Sequence, residues 1–99
     1  MTISETVTWF NSLFELNKGI HDTKKDFYCG ITNDINRREE EHNVKEYIGY
    51  THCDSFDTAR ILESRLGDEG YDIGSQAGNG QEDSLYVYMY RKIAGVTKP

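Results

Sequence analysis

The chain has 99 residues and a formal net charge of −6 at pH 7. This length allows one hydrophobic core and excludes a second domain of ordinary size, so we expect a single domain over residues 1–99. The acidic balance argues against wrapping around nucleic acid, which depends on clustered Lys and Arg. Seven Tyr, four Phe and one Trp provide enough buriable surface to exclude disorder.

The negative charge is concentrated in one part of the chain. Residues 54–83 contain eight acidic and two basic residues, whereas residues 18–45 contain six of each sign. The last sixteen residues have a charge of +3. The net negative charge therefore does not argue against an anion-binding site in the first half of the chain.

Cys29 and Cys53 are the two cysteines, and they form no CxxC pair. This spacing disfavours a disulfide scaffold and a zinc ribbon. The sequence shows no charged and apolar leader, and no apolar run approaches the ~20 residues that cross a bilayer. We therefore expect a cytoplasmic protein with reduced thiols and no membrane partner.

The first segment has the pattern of an amphipathic helix from Thr2 to Ile20, which we assign as an N-terminal helix within residues 1–20. Thr2 and Glu5 have the spacing of a capping box, and Asn17-Lys18-Gly19 is a predicted stop. Apolar residues recur there at helical spacing: Trp9, Leu13, Leu16 and Ile20, with Val7, Phe10 and Phe14 widening the stripe.

A short aromatic and β-branched run over residues 26–31 predicts a strand, followed by turn and N-cap residues at 32–34. Residues 34–43 favour a helix that contains a single apolar residue, Ile35. The positions that share its face are polar: Arg38, Glu39 and His42. Polar groups on the face that should point inward are typical of functional sites.

Residues 46–53 predict a second strand, and residues 55–66 a helix with a cap at Asp54-Ser55 and with Gly67 as C-cap. Glu63 is a single carboxylate on the apolar side of that helix. Taken alone, it suits the edge of the buried stripe or an ion pair with Lys92 as well as a functional role.

Residues 67–83 are predicted as an acidic, Gly-rich loop, and residues 84–99 as a last strand with a tail. In that strand, near 84–92, three tyrosines alternate with apolar residues. We expect a helix, the N-terminal one, to cover the tyrosine side; a platform for stacking unpaired bases is the alternative. The predicted fold class is α+β, a small, mainly antiparallel, three-stranded sheet flanked by helices, with an additional N-terminal helix.

Several residues keep a regular spacing across these elements. Arg38 follows Tyr28, the first residue of Tyr28-Cys29-Gly30, by ten residues; His42 follows Arg38 by four, and Glu63 follows Ala59 by four. This order resembles the GIY-YIG endonuclease domain over about residues 19–66, with residues 21–66 as the core that carries the motifs. The literal string Tyr47-Ile48-Gly49 is a poorer match, because it puts no basic residue at the arginine position.

The resemblance implies metal-dependent hydrolysis of DNA phosphodiester bonds. Glu63 would hold one Mg2+ or Mn2+ ion, Arg38 would bind the scissile phosphate, and Tyr28 would act as base or orient the water. His42 would relay a proton or bind phosphate. The first family triplet is degenerate at Gly19-Ile20-His21, so His21 is the expected substitute for its tyrosine, and Asn79 the expected late asparagine.

The acidic composition implies weak affinity for DNA, or a protein partner that supplies DNA binding. The alternative function is a non-catalytic module on the same fold, whose acidic residues 54–83 bind a basic protein or mimic nucleic acid. Geometry should discriminate between the two functions. An open cleft that joins Tyr28, Arg38, His42 and Glu63 favours the nuclease, and an enclosed Glu63 favours the binding module.

Overall fold

A computed structural model describes residues 1–42, 46–74, 83 and 85–97, without the side chains of residues 42, 46 and 47. The described elements are three helices, one 3-10 turn and three strands. In chain order they are α1 (Ile3–Asn17), the 3-10 turn (Lys24–Asp26), β1 (Phe27–Thr32), α2 (Ile35–His42), β2 (Glu46–His52), α3 (Phe56–Glu69) and β3 (Tyr86–Arg91). Within these described ranges, no helix is long and apolar enough to span a bilayer.

The three strands form one antiparallel sheet in the order β1-β3-β2, which confirms the predicted α+β class with three antiparallel strands. Side chains alternate between the two faces of this sheet. One face packs in the hydrophobic core with α1 and α3, through residues that include Cys29, Val87 and Met89. The opposite face, here called the tyrosine face, carries Tyr28, Tyr50, His52, Tyr86, Tyr88 and Tyr90.

The expectation that the N-terminal helix covers the tyrosine face is wrong. Phe10 and Phe14 of α1 belong to the core cluster on the other face, since they pack with Phe27 and the residues around it. The start of α2 lies along the tyrosine face instead, where it lines a groove together with Tyr50 and Tyr86.

Helix α1 begins as predicted but ends earlier. Thr2 and Glu5 form the capping box, with backbone N–H to side-chain oxygen distances of 2.9 and 3.1 Å. The helix ends at Asn17 rather than Ile20, and the side chain of Ile20 is 97% exposed. A turn begins there because the Gly19 N–H donates to the Asp22 carboxylate at 2.6 Å.

Helix α3 begins at the predicted cap, where Ser55 Oγ accepts a hydrogen bond from the Thr58 N–H at 3.1 Å. The prediction of Gly67 as C-cap is wrong, because the helix continues to Glu69 and is capped by Gly70 at φ 113°. A Cβ at Gly67 would lie 2.6 Å from Ile73 Cδ1, so this glycine permits close packing. The predicted loop over 67–83 therefore starts later, and residues 75–82 lie outside the described ranges.

Candidate functional site

Helix α2 begins with two side-chain hydrogen bonds at the end of β1. The Asp34 N–H donates to Thr32 Oγ1 at 3.0 Å, and the Arg37 N–H donates to Asp34 Oδ1 at 3.0 Å. Thr32 itself is buried, so this turn is fixed to the sheet. These bonds confirm the predicted turn and cap, and they hold the first turn of α2, with Arg38, against the tyrosine face.

Within the described part of the chain, Arg38 is the only cation that affects the pKa values of three residues of the tyrosine face. It lowers the pKa values of Tyr28, Tyr88 and Tyr90 against the opposing effect of burial. Its Nη1 donates to Glu41 at 2.9 Å. Its Nε is buried and has no hydrogen-bond partner in the part of the chain that the structure describes. A buried N–H without a partner is costly, and one at a site requires an explanation.

Glu63 lies on the inner side of α3, as predicted, and its side chain is only 5% exposed. Its negative charge raises the pKa values of Tyr28 and Tyr88, and also that of the buried Cys29 thiol in the core. Lys92, the alternative partner named for it, forms an ion pair with Asp72 instead, at 2.8 Å. The charges of Glu63 and Arg38 act in opposite directions on the same Tyr28 hydroxyl.

Tyr28 connects these charged groups. Burial raises the pKa of its hydroxyl, the charges of Glu63 and Asp72 raise it further, and Arg38 opposes them. The net direction is upward, so the hydroxyl remains protonated at neutral pH. In this state Tyr28 is suited to donate a hydrogen bond and to orient a ligand, and its expected role as base requires that a bound cation or Arg38 lower its pKa.

Tyr88 is a fourth member of this group, and the sequence reasoning did not single it out. It is 4% exposed, its ring centroid lies 6.3 Å from that of Tyr28, and it is stacked at 6.2 Å with Tyr90. Burial raises its pKa as well, with Tyr28 next in effect. The alternation of tyrosines predicted a shared face, but only the register of β1 against β3 brings Tyr88 beside Tyr28.

Asp72 is a second residue that sequence reasoning missed. Its backbone extends the sheet at the edge of β1, where the Cys29 N–H donates to the Asp72 carbonyl at 2.8 Å. The Asp72 N–H donates in turn to the Phe27 carbonyl at 3.0 Å. Two residues later, a Cβ at Gly74 would lie 3.1 Å from the Tyr28 hydroxyl. The segment after α3 therefore lies against one side of the Tyr28 hydroxyl.

The remaining predicted residues stand apart from this group or lie outside the description. His21 is exposed in the turn after α1, and no hydrogen bond or ring contact joins it to the described parts of Tyr28, Arg38 or Glu63. The backbone of His42 ends α2, four residues after Arg38, but its side chain lies outside the described residues. Asn79 also lies outside them. The roles of these three residues stay predictions.

The donor atoms of the site suit a hard cation with few protein ligands. Glu63 provides carboxylate oxygens, and the described residues contain no group of three or more His, Cys, Asp or Glu side chains arranged for a metal. Mg2+ commonly keeps several waters and takes only one or two carboxylates from the protein. A Mg2+ or Mn2+ ion with Glu63 as its protein ligand is consistent with this donor set.

Comparison with known proteins found no match for this chain. No protein-family model matches the chain, no curated protein matches it, and no solved structure matches it. The resemblance to the GIY-YIG domain therefore rests on the residues and spacing given above. The charges of Arg38 and Glu63 also act on the Tyr28 hydroxyl, in opposite directions: Arg38 lowers its pKa and Glu63 raises it.

Proposed function

We propose that this chain is a small, metal-dependent, GIY-YIG-like endonuclease that hydrolyses DNA phosphodiester bonds. The observation that carries the proposal is the buried Nε of Arg38, which has no hydrogen-bond partner among the described residues and whose side-chain charge acts, with that of Glu63, on the Tyr28 hydroxyl. A phosphate oxygen is a strong acceptor for a guanidinium N–H, and bidentate contact with a phosphate suits its planar shape.

In this mechanism Arg38 binds the non-bridging oxygens of the scissile phosphate and stabilises the negative charge that grows on them in the transition state. Tyr28 stays protonated and donates a hydrogen bond to a phosphate oxygen or to the attacking water. Tyr88 packs beside Tyr28 and limits the positions that the Tyr28 ring can adopt. Positioning and charge stabilisation are therefore the contributions of the protein.

Glu63 would hold the cation, which supplies further charge neutralisation at the phosphate when it is bound. Without the cation, burial raises the pKa of Tyr28 and the Glu63 charge adds to the rise; a bound cation would reverse the effect of Glu63. The net charge of −6 predicts weak affinity for DNA and activity that falls steeply as salt rises. A protein partner that supplies DNA binding fits the same property.

A cleavage assay tests the proposal directly. Purified protein is incubated with Mg2+ or Mn2+ and with single-stranded, double-stranded and branched DNA, and wild type is compared with Glu63→Gln and Arg38→Ala. Glu40→Gln and Arg65→Ala are matched controls, because both residues are exposed. We expect cleavage that depends on Glu63 and Arg38 and is unchanged in the controls. Cleavage equal in all five proteins, or in none, contradicts the proposal.

One observation favours a second function. The 5% exposure of Glu63 leaves its carboxylate little open surface, which suits a non-catalytic module, and Asp57 and Asp68 of α3 are exposed. In this alternative the acidic surface binds a basic protein partner or mimics nucleic acid. A basic peptide should then bind more weakly to Asp57→Asn with Asp68→Asn and equally well to Glu63→Gln. No binding of such a peptide would exclude this alternative.

A further inference from the structure

A groove of about 440 Å3 lies between the start of α2 and the tyrosine face, beside the proposed phosphate site. Tyr50 and Tyr86 form one side, with ring centroids 5.8 Å apart and planes inclined by 67°. Tyr50 is 49% exposed. Asn36 and Glu39 of α2 lie on the other side. Two aromatic rings thus face polar side chains across a space that can admit a planar ligand.

The groove adjoins Tyr88 and Arg38. Tyr50 is the cross-strand partner of Tyr88, and Tyr86 precedes Tyr88 by two residues on the same face of β3. On the other side, Glu39 lines the groove and directly follows Arg38 in the chain. A nucleoside attached to a phosphate at Arg38 can therefore reach the groove.

The charges around the groove distinguish a base from a phosphate. The described lining residues include two carboxylates, Asp34 and Glu39, and no Lys or Arg. Asp34 is occupied as the cap of α2, since it accepts the Arg37 N–H at 3.0 Å. Glu39 is half-buried and makes no ion pair with any described residue, so its carboxylate can accept a hydrogen bond from a ligand. Such a groove repels phosphate and suits an aromatic ring that has N–H donors on its edge.

We propose that this groove binds an unpaired nucleobase with an exocyclic amine, adenine, cytosine or guanine, next to the scissile phosphate. The base stacks on the exposed Tyr50 ring and meets Tyr86 edge to face, and its amine donates to the Glu39 carboxylate. In a duplex both faces and the amine of a base are already engaged. The substrate class is therefore DNA with an unpaired nucleotide at the cleavage point, and this inference rests on the proposed function.

Binding is measured first without cleavage, with wild-type protein in EDTA. The 15N-labelled protein is titrated with short single strands that contain adenine, thymine or an abasic residue at one central position. We expect amide shifts at Tyr50 and Tyr86, and affinity for the abasic strand lower by on the order of tenfold. Adenine should bind more tightly than thymine, and Glu39→Ala should remove this preference.

Variants of Tyr50 separate stacking from folding. Tyr50→Leu should weaken adenine binding by on the order of tenfold, whereas Tyr50→Phe keeps the ring and should bind as wild type does. Ile61→Ala is the control, because Ile61 is 50% exposed on α3 and does not line the groove. Equal affinity for the adenine and abasic strands overturns the inference. Tighter binding of an Arg-rich peptide at the same residues also overturns it, and assigns the groove to a basic protein.

Cleavage with Mg2+ or Mn2+ then separates the two proposals. The substrates are a duplex, a branched DNA with an unpaired adenine, and the same branched DNA with an abasic residue there. Preference for the unpaired adenine that is lost in Tyr50→Leu supports the inference. Equal, Glu63-dependent cleavage of all three substrates overturns it and leaves the proposed function intact. Adenine binding at Tyr50 without Glu63-dependent cleavage supports the groove and overturns the proposed function.

Discussion

Gly30 on β1 lies directly opposite Tyr88 on β3, and the Tyr88 hydroxyl occupies the space that a side chain at position 30 would need. A Cβ at Gly30 would lie 2.5 Å from the Tyr88 hydroxyl oxygen and 3.1 Å from Tyr28 Cε1. Tyr88 is 4% exposed and has little room to move. The absence of a side chain at Gly30 therefore permits Tyr28 and Tyr88 to lie side by side in the candidate site.

Gly30→Ala should destabilise the protein because its methyl group overlaps the Tyr88 ring. We expect the free energy of unfolding, measured with urea, to fall by about 1–3 kcal/mol. Gly49→Ala is a comparison with a milder contact, since its Cβ would lie 3.0 Å from Leu13 Cδ1, the end of a flexible side chain. Gly49→Ala should therefore lower the free energy of unfolding by less than Gly30→Ala does. In a Tyr88→Leu background Gly30→Ala should also cost less, and an equal cost in both backgrounds would refute this explanation.

Arg38 should show opposite effects on activity and on stability. Arg38→Met removes the buried Nε–H that has no partner, and it breaks only a partly exposed ion pair with Glu41. We expect unfolding free energy equal to wild type or higher by about 1 kcal/mol. DNA cleavage should fall by at least about a hundredfold, and Arg38→Lys should not restore it, since an ammonium lacks the planar donor pair. A large loss of stability in Arg38→Met would indicate a structural role for this residue.

The parts of the fold that depend on neighbouring residues were predictable from the sequence. The caps at Thr2, Asp34 and Ser55 are local hydrogen bonds between residues two or three apart, and their residue types indicate them. The end of α3 was predicted wrongly because Gly67 is a glycine for a packing reason: it makes room for Ile73, and it does not cap the helix. The contact between Gly67 and Ile73 depends on the path of the segment after α3, and residue types near Gly67 do not predict that path.

In the candidate site, too, the residues recognisable from local sequence were predicted and those placed by distant contacts were missed. Arg38 and Glu63 are each recognisable as polar residues on a helix face that should be apolar, and the charges of both act on the Tyr28 hydroxyl. Tyr88 and Asp72 were missed because their positions depend on strand register and on the edge contact with β1. Those relationships join residues more than forty positions apart, so hydrophobic periodicity does not reveal them.

Asp72 should contribute stability that is lost in acid. Burial raises the pKa of its carboxyl, but the hydrogen bonds from Lys92 and the Gly74 N–H, with the charge of Lys92, outweigh burial, so the net shift is downward. A lowered folded-state pKa gives stability that is present above the unfolded value of about 3.9 and is lost as pH falls through the folded value. Asp72→Asn should therefore cost about 1 kcal/mol at neutral pH and progressively less below about pH 4.

Urea unfolding of wild type and Asp72→Asn across that pH range provides the measurement. Asp57→Asn is the control, because Asp57 is exposed on α3 and makes no ion pair within the described residues. Its difference from wild type should be small at every pH. A cost for Asp72→Asn that stays constant down to the acid limit would show that the carboxylate charge is not the source of the stability.

The tyrosines should make the protein lose stability in alkali. Burial raises the pKa values of Tyr28, Tyr88 and Tyr90, and the charge of Glu63 adds to the rise at Tyr28 and Tyr88. Raised folded-state values give stability that is fully present below the unfolded pKa of about 10 and is lost as pH rises through the folded values. The unfolding free energy should therefore decrease with pH above about 10.

Tyr28→Phe should make that decrease shallower, because one ionisable group with a raised pKa is removed while the ring remains. Glu63→Gln should lower the pKa of Tyr28, which a 13C-tyrosine NMR titration can follow residue by residue, since a neutral amide no longer opposes ionisation of the phenol. Glu40→Gln, a change of the same size on the exposed side of α2, should leave that titration unchanged. A Tyr28 titration that is identical in Glu63→Gln and wild type would show that the two side chains do not interact, and the proposed site would then lose its acidic member.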